Sequence, residues 1–213
     1  MRSVMDKLRI GVLASGRGSN FEAILRNIQS GYLNAIIVAV ISNKKNAGAL
    51  EIARENDIPA YFVSAKQYPD SHQFDAQILR LLKQHDANFV VLAGYLKMLG
   101  KNVIRNFKNR ILNIHPALLP SFGGKGMYGH FVHEAVISYG CKVSGVTVHL
   151  VDEEYDTGPP VVQKCVSVLD DDTPQSLAAR VLEVEHQAFS EALKFFAENR
   201  VEIHNRRVRI KPN

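Results

Sequence analysis

The fold is decided by the stretch Ile111-Leu112-Asn113-Ile114-His115-Pro116-Ala117-Leu118-Leu119-Pro120. Its first residues favour a strand, in which Asn113 and His115 project from the same face. Pro116 cannot donate to a ladder, so we expect the strand to end there. Ligands of open α/β sheets bind at this end of the strands. An amide beside an imidazole suits oxyanion stabilisation and proton transfer, although a plain loop histidine and a turn asparagine fit the same short motif.

Strand and helix patterns alternate on the N-terminal side of this stretch. Apolar runs predict strands at residues 8–14, 35–42, 61–63, 88–93 and 111–114, and helical periodicity predicts helices at 19–29, 47–56 and 71–85. This alternation predicts βαβ units and an α/β fold with a mostly parallel, twisted sheet and flanking helices.

The pattern changes after Gly140. We expect two antiparallel C-terminal strands at 142–151 and 160–169, a long helix from Asp172-Thr173-Pro174 to about Asn199, and a hairpin over 201–210. The chain has no repeat, low-complexity linker or composition break. We therefore predict one domain over 1–213, with a core at about 8–200 and a terminal hairpin or tail at 201–213.

Composition excludes several classes of protein. The 213 residues are 46% hydrophobic and carry a formal charge of +5, which fits an anionic substrate or weak nucleic-acid contact. With two cysteines and no Cys-x-x-Cys, a disulfide framework or cysteine-based zinc site is not expected. No leader-like segment precedes residue 8 and the apolar run 35–41 is too short to span a bilayer, so we expect a soluble, cytoplasmic protein without membrane contact. Translation could start at Met1 or Met5.

The loop Ser15-Gly16-Arg17-Gly18-Ser19-Asn20 joins the first strand to the first helix. We expect Ser19 or Asn20 to cap that helix, whose free N–H groups favour an anion. The loop lacks the Lys-Ser/Thr of a Walker motif and the third glycine of a dinucleotide motif. A monophosphate site is therefore predicted, with a tight turn that binds nothing as the alternative.

Four further patterns could carry function. The turn Asp156-Thr157-Gly158-Pro159 could place a carboxylate beside His115 and raise the pKa of its ring, or could be an ordinary Asx turn. Residues 94–99 could line a slot for a flat ring, or simply pack in the core. His130-x-x-His133 lacks an evident third ligand, so no metal is expected. The basic residues near the C-terminus lack interleaved aromatics, so no nucleic-acid partner is expected: Arg206, Arg207, Arg209 and Lys211.

Taken together, these motifs resemble the phosphoribosylglycinamide formyltransferase family of purine synthesis from about Leu8 to about Val208. The resemblance rests on residues 15–20, 92–96, 113–120, 148–151 and 156–159 and on Glu185-His186. It implies a Rossmann-like formyltransferase fold, glycinamide ribonucleotide and folate as small-molecule substrates, 10-formyltetrahydrofolate as co-substrate, and no metal. A homodimer is kept open.

The resemblance also implies a role for each site residue. The catalytic residues would be Asn113, His115 and Asp156. The sugar phosphate would be bound by Gly18, Ser19, Asn20, Leu182, Glu183, Val184 and Glu185. The folate would be bound by Leu96, Lys97, Met98, Leu99, Asn113, Asp152, Glu153, Glu154, Tyr155 and Asp156. The glycinamide amine would attack the formyl carbon, Asn113 and protonated His115 would donate to the resulting oxyanion, and Asp156 would keep His115 charged.

The chain departs from the family pattern in two places. Lys97 stands where many members carry Arg. The glycine-rich segment 122–129 is several residues longer than usual and could be a mobile lid or an anion loop, which leaves its role and that of Lys125 open. The rival enzymes are methionyl-tRNA formyltransferase, which carries a C-terminal RNA-binding domain, and formyltetrahydrofolate deformylase, which carries an N-terminal regulatory domain. We expect neither extra domain here. A non-catalytic phosphate-binding or RNA-binding module is the remaining alternative.

Overall fold

A computed structural model describes residues 7–212; the choice between Met1 and Met5 lies outside them. The helices are α1 Ser19–Gln29, α2 Gly48–Glu55, α3 Ser71–Gln84, α4 Lys101–Asn106, α5 His130–Ser138 and α6 Pro174–Ala197. The strands are β1 Leu8–Ala14, β2 Ala35–Ser42, β3 Ala60–Phe62, β4 Phe89–Leu92, β5 Ile111–His115, β6 Val143–Leu150, β7 Pro160–Ser167, β8 Val201–His204 and β9 Arg207–Ile210.

The main sheet has seven strands in the order β3-β2-β1-β4-β5-β6-β7. The first four pairings are parallel, whereas β5–β6 and β6–β7 are antiparallel. This confirms the predicted mostly parallel sheet with antiparallel C-terminal strands, and the predicted hairpin forms as β8–β9. The direction of winding reverses between β1 and β4, which is the position where open α/β sheets bind ligands.

Two helices were absent from the sequence-based prediction. The helix α4 has only six residues, too few to show a helical period. The helix α5 buries Val132, His133 and Val136 yet exposes Phe131, so its sequence has no clean apolar stripe. Both helices follow a strand end and border the region described below.

Each face of the sheet is covered by its own hydrophobic core. The larger core joins α1, α2, α5 and α6 to one face through residues such as Phe21, Leu50 and Phe189. The smaller core joins α3 and α4 to the other face through residues such as Leu82 and Val103. Because strand side chains alternate, β1 supplies Val12 to the first core and Leu13 to the second.

The long helix α6 places Glu185 beside the start of α1. It starts at a capping box in which the Thr173 side chain accepts from the Ser176 N–H, with Pro174 following the cap. Its buried stripe packs against α1 and β6, which places Glu185 beside the start of α1. Among residues 7–212, no helix is long and apolar enough to cross a membrane.

Candidate active site

Asn113 and His115 border a cavity of about 500 Å³ at the carboxyl ends of β4 and β5. The strand ends at His115, directly before Pro116, as the sequence predicts. His115 is only 3% exposed. The antiparallel neighbour β6 pairs His149 with Asn113 and Thr147 with His115, so this edge carries a polar group on both strands.

A second histidine holds the Asn113 side chain. Asn113 Nδ2 lies 3.0 Å from His149 Nε2, and His149 Nδ1 lies 2.8 Å from the carbonyl oxygen of Leu150. A carbonyl oxygen can only accept, so Nδ1 carries the hydrogen and Nε2 accepts from the amide. One amide hydrogen of Asn113 is thereby fixed, and the other is available to a bound oxygen.

His115 is held in the same manner by the glycine-rich segment. Its Nε2 lies 2.7 Å from the carbonyl oxygen of Phe122 and therefore donates to it. Its Nδ1 lies 3.5 Å from Asp156 Oδ2, while His149 Nε2 lies 3.6 Å from Asp156 Oδ1. We call Asn113, His115, His149 and Asp156 the strand-end cluster.

The charge state of His115 differs from the sequence-based expectation. Burial of the ring lowers the pKa of His115 below its ordinary value, and the Asp156 carboxylate and the Phe122 carbonyl only partly oppose this. Asp156 raises the pKa of His115 as predicted, but burial of the ring lowers it by more, so the net direction is opposite to the one expected. At neutral pH the ring is uncharged, with a hydrogen on Nε2 and a free lone pair on Nδ1.

Asp156 stays ionised although it is half-buried. Burial raises its pKa, but the adjacent His149 and His115 rings and the Gly124 N–H together outweigh burial and lower it. The Gly124 N–H donates to Asp156 Oδ2 at 3.0 Å. The backbone of Asp156 has φ 56°, a left-handed conformation that asparagine and aspartate tolerate better than bulkier residues.

The segment that carries Asp156 is braced from three sides. Thr157 Oγ1 donates to Asp152 Oδ1 at 2.6 Å. Glu153 turns outward to Lys101 of α4 at 2.9 Å. The terminal hairpin contributes Arg206, which donates to the Thr157 carbonyl at 2.6 Å. Asp152, Glu154, Tyr155 and Asp156 border the cavity, whereas Glu153 does not.

The loop before α1 corrects a second expectation. The N-cap of α1 is Gly18 in the left-handed region at φ 90°, and no side chain caps the helix. A Cβ at Gly18 would lie 2.8 Å from the Ala49 Cα, so only glycine fits. The prediction that Ser19 or Asn20 caps α1 is wrong, because Asn20 lies inside the helix and is used elsewhere. The first N–H groups of α1 thus remain without a side-chain cap, as an anion site requires.

Asn20 and Glu185 form a buried pair that links α1 to α6. Asn20 Nδ2 donates to Glu185 Oε2 at 2.7 Å, and both side chains border the cavity. Burial raises the pKa of Glu185 to about 7, and the Asn20 bond only partly opposes it. Asn20 Oδ1 is buried without a hydrogen-bond partner among the described residues. Five other predicted substrate residues flank this pair without bordering the cavity: Gly18, Ser19, Leu182, Glu183 and Val184.

The opposite side of the cavity is apolar. The segment after β4 borders it with Leu96, Met98 and Leu99, joined by Tyr95 and by Ile104 of α4. Leu96 is 53% exposed, and its N–H is anchored by Ser15 Oγ at 2.9 Å. The ammonium of Lys97 lies 3.8 Å from the centre of the Phe74 ring and forms a cation–π interaction with it.

Three contributors to the site were missed from the sequence: His149, the Phe122 carbonyl and the Gly124 N–H. Only His149 had a usable signal, because it lies on the strand predicted to pair at this edge. The two backbone groups act irrespective of their side chains, so residue identity gives no clue to them. Among residues 7–212, no group of three or more His, Cys, Asp or Glu side chains is arranged to hold a metal ion, so His130 and His133 have no third ligand.

The sequence of this chain is similar to those of known proteins. The formyl transferase family model matches residues 8–193. The chain is 44% identical over 194 residues to the chloroplastic phosphoribosylglycinamide formyltransferase of Arabidopsis thaliana, covering 91% of this chain and 66% of that relative. It is 33% identical to the phosphoribosylglycinamide formyltransferase of Bacillus subtilis, covering 87% of this chain and 93% of that protein.

A solved structure agrees with the sequence matches. Glycinamide ribonucleotide transformylase 1 from Symbiobacterium toebii superposes with a TM-score of 0.92 at 39% identity, covering 97% of this chain and 95% of the other. The Rossmann-like formyltransferase fold implied by the motifs is thereby confirmed. This chain belongs to the formyl transferase family and, within it, is a member of the phosphoribosylglycinamide formyltransferases.

Proposed function

We propose that this protein transfers the formyl group of 10-formyltetrahydrofolate to the amine of glycinamide ribonucleotide, a step of purine synthesis. One observation carries the proposal. A single cavity joins the strand-end cluster to two walls of different chemistry. The α1 wall consists of Asn20, residues 124–127 and Glu185, and the α4 wall consists of Tyr95, Leu96, Met98, Leu99 and Ile104.

The α1 wall suits a sugar phosphate. The uncapped N–H groups at Gly18, Ser19 and Asn20 and the dipole of α1 favour the phosphate. Glu185 and Asn20 offer polar atoms to the ribose, with Leu182, Glu183 and Val184 on the preceding turn of α6 supporting that position. Similarity to phosphoribosylglycinamide formyltransferases supports glycinamide ribonucleotide as the sugar phosphate.

The α4 wall suits the flat ring system of a folate. Apolar side chains line it, and Leu96, Lys97, Met98 and Leu99 also offer backbone groups to a ring edge. The segment of Asp152, Glu153, Glu154, Tyr155 and Asp156 closes one side. Asn113 shares its sheet face with Ile111, which packs in the core of α3 and α4, so its amide lies on the folate side.

The chemistry follows from the charge states. The substrate amine attacks the formyl carbon, and the carbonyl oxygen becomes an oxyanion that accepts from the free hydrogen of Asn113 Nδ2. Neutral His115 accepts the amine proton on Nδ1, and the Asp156 carboxylate stabilises the resulting imidazolium. The proton passes to N10 of the folate as the bond between that nitrogen and the formyl carbon breaks. No covalent enzyme intermediate is required.

The test is a spectrophotometric assay of the purified protein with 10-formyltetrahydrofolate and glycinamide ribonucleotide. We expect one tetrahydrofolate and one formylated product per turnover. Turnover with water alone would instead identify a deformylase, and turnover only with methionyl-tRNA would identify the tRNA-directed enzyme. If no acceptor gives turnover, the remaining alternative is a non-catalytic binding module.

A cytoplasmic location and a homodimer remain predictions. The plant relative is named as chloroplastic, so location varies among similar proteins. Fluorescence microscopy of the tagged full-length protein tests the first, and light scattering of the purified protein over a range of concentrations tests the second.

A further inference from the structure

The glycine-rich segment 122–129 is fixed at its start and forms part of the cavity beyond it. The Phe122 carbonyl and the Gly124 N–H bond to His115 and Asp156, which anchors the segment to the strand-end cluster. Residues 124–129 then border the cavity before α5 begins at His130. The segment is therefore part of the site.

Lys125 is the one cationic side chain of this segment. It is exposed and borders the cavity. Among the described residues, no hydrogen bond or ion pair involves its ammonium, in contrast with the paired Lys101 and Lys164. An unpaired ammonium at a cavity rim is available to an anionic ligand.

The packing of the segment supports the placement of Lys125 in the α1 wall. Phe122 and Met127 pack against the core of α1, α5 and α6, and α5 packs directly on α6. The same core includes Phe21, next to Asn20 on α1, and Val181 and Ala188, on either side of Glu185 on α6. On the opposite side of the cavity, Lys97 lies between Leu96 and Met98 of the α4 wall, and its ammonium lies over the Phe74 ring.

The charged groups that border the cavity bear on the ligand of Lys125. Besides Glu185, the carboxyl groups of Asp152, Glu154 and Asp156 border it. Of the residues in the described range that border the cavity, only Lys97 and Lys125 carry a permanent positive charge. The α1 wall contains a carboxyl group at Glu185, which repels a phosphate whenever it is ionised. A phosphate dianion on that wall is stabilised by an ammonium as well as by neutral N–H groups.

We propose that Lys125 is a further substrate-binding residue that contacts the phosphate of the sugar-phosphate substrate. The inference rests on the proposed function and deepens it, because the phosphate is bound from two sides, by the start of α1 and by the segment 122–129. Gly124 and Gly126, with φ 97° and 91°, flank Lys125 and give the backbone freedom to turn the ammonium inward.

Steady-state kinetics of Lys125→Ala and Lys125→Arg test the proposal. We expect Lys125→Ala to raise the KM for glycinamide ribonucleotide about tenfold, because a hydrogen bond to a charged group is lost. The KM for 10-formyltetrahydrofolate and kcat stay within about twofold. Lys125→Arg restores most of the affinity, since the charge is kept. Lys83→Ala, an exposed lysine on α3 outside the cavity, is the matched control.

A binding measurement separates this proposal from the proposed function. Calorimetry with ribose 5-phosphate, compared with ribose, needs no formyl transfer. We expect the unsubstituted protein to bind ribose 5-phosphate and the Lys125→Ala variant to bind it about tenfold more weakly. That result would support the assignment even if the protein did not formylate glycinamide ribonucleotide. Equal binding by both proteins, or a raised KM for the folate alone, would overturn it.

Discussion

The two walls of the cavity differ in their chemistry. The α1 wall contributes a buried Asn20–Glu185 pair and the uncapped start of a helix, whereas the α4 wall contributes apolar side chains and backbone groups. The walls belong to cores on opposite faces of one sheet. The difference teaches that one sheet can place a polar wall and an apolar wall on either side of the same strand ends. The proposed function uses this arrangement to bring a charged and a flat apolar substrate together.

The sharpest test is to remove a residue that lies between the walls. His115→Ala should lower kcat about 10²–10⁴-fold, because the proton acceptor is lost, while both KM values change little. Steady-state rates with each substrate varied in turn measure this. His204→Ala, a surface histidine on the terminal hairpin, is the control. Full activity of the His115→Ala variant would contradict a catalytic role for the strand-end cluster.

The buried carboxyl of the α1 wall gives the next largest effect. An unperturbed glutamate has a pKa of 4.5, and burial raises the pKa of Glu185 to about 7, so the folded protein binds this proton more tightly than the unfolded chain. The stabilising contribution is complete below about pH 4.5 and is lost as the pH rises through about 7. Relative to Glu185→Gln, the native protein should lose on the order of 3 kcal/mol of unfolding free energy over this interval.

Urea unfolding of both proteins at pH 5 and pH 8 measures that difference. Glu183→Gln, which alters an exposed carboxyl on the same helix, is the matched control. A constant difference between the native protein and Glu185→Gln would show that Glu185 is ionised throughout.

The turn before α1 should tolerate no side chain at Gly18. Gly18→Ala places a Cβ 2.8 Å from the Ala49 Cα at φ 90°, so we expect a loss of about 1–3 kcal/mol of unfolding free energy and a raised KM for glycinamide ribonucleotide. Gly16→Ala is the matched control, because its Cβ meets nothing within 4 Å. Thermal unfolding and kinetics of both variants test this, and identical behaviour would contradict the close packing at Gly18.

The smallest effect is expected on the α4 wall. Leu96→Ala should raise the KM for the folate about fivefold, because a ligand covers the exposed half of that side chain. The KM for glycinamide ribonucleotide should not change. Leu169→Ala removes a leucine that is 51% exposed outside the cavity and should leave both values alone. An effect on the sugar-phosphate KM instead would mean that the walls are assigned in reverse.

Sequence patterns predicted the sheet and the position of its polar edge. The strand limits of β1 and β2 and the end of β5 at His115 were anticipated, because buried strands and a following proline leave clear signals. The helices α4 and α5 were not predicted. The helix α4 is too short to show a period, and α5 mixes buried and exposed apolar residues. The extent of one domain over the whole chain stays a prediction, as do the roles of the site residues.

The sequence by itself determined which polar groups reach the strand ends, because side-chain alternation and Pro116 are local properties. Only the tertiary structure decided the charge states and the hydrogen-bond partners of these polar groups. Burial lowers the pKa of His115 by more than the Asp156 carboxylate raises it. The helix α6 brings Glu185 to Asn20, which lies 165 residues away in the chain. The physical reason is that desolvation and hydrogen bonding depend on every element packed around a group, and no short motif encodes that surrounding.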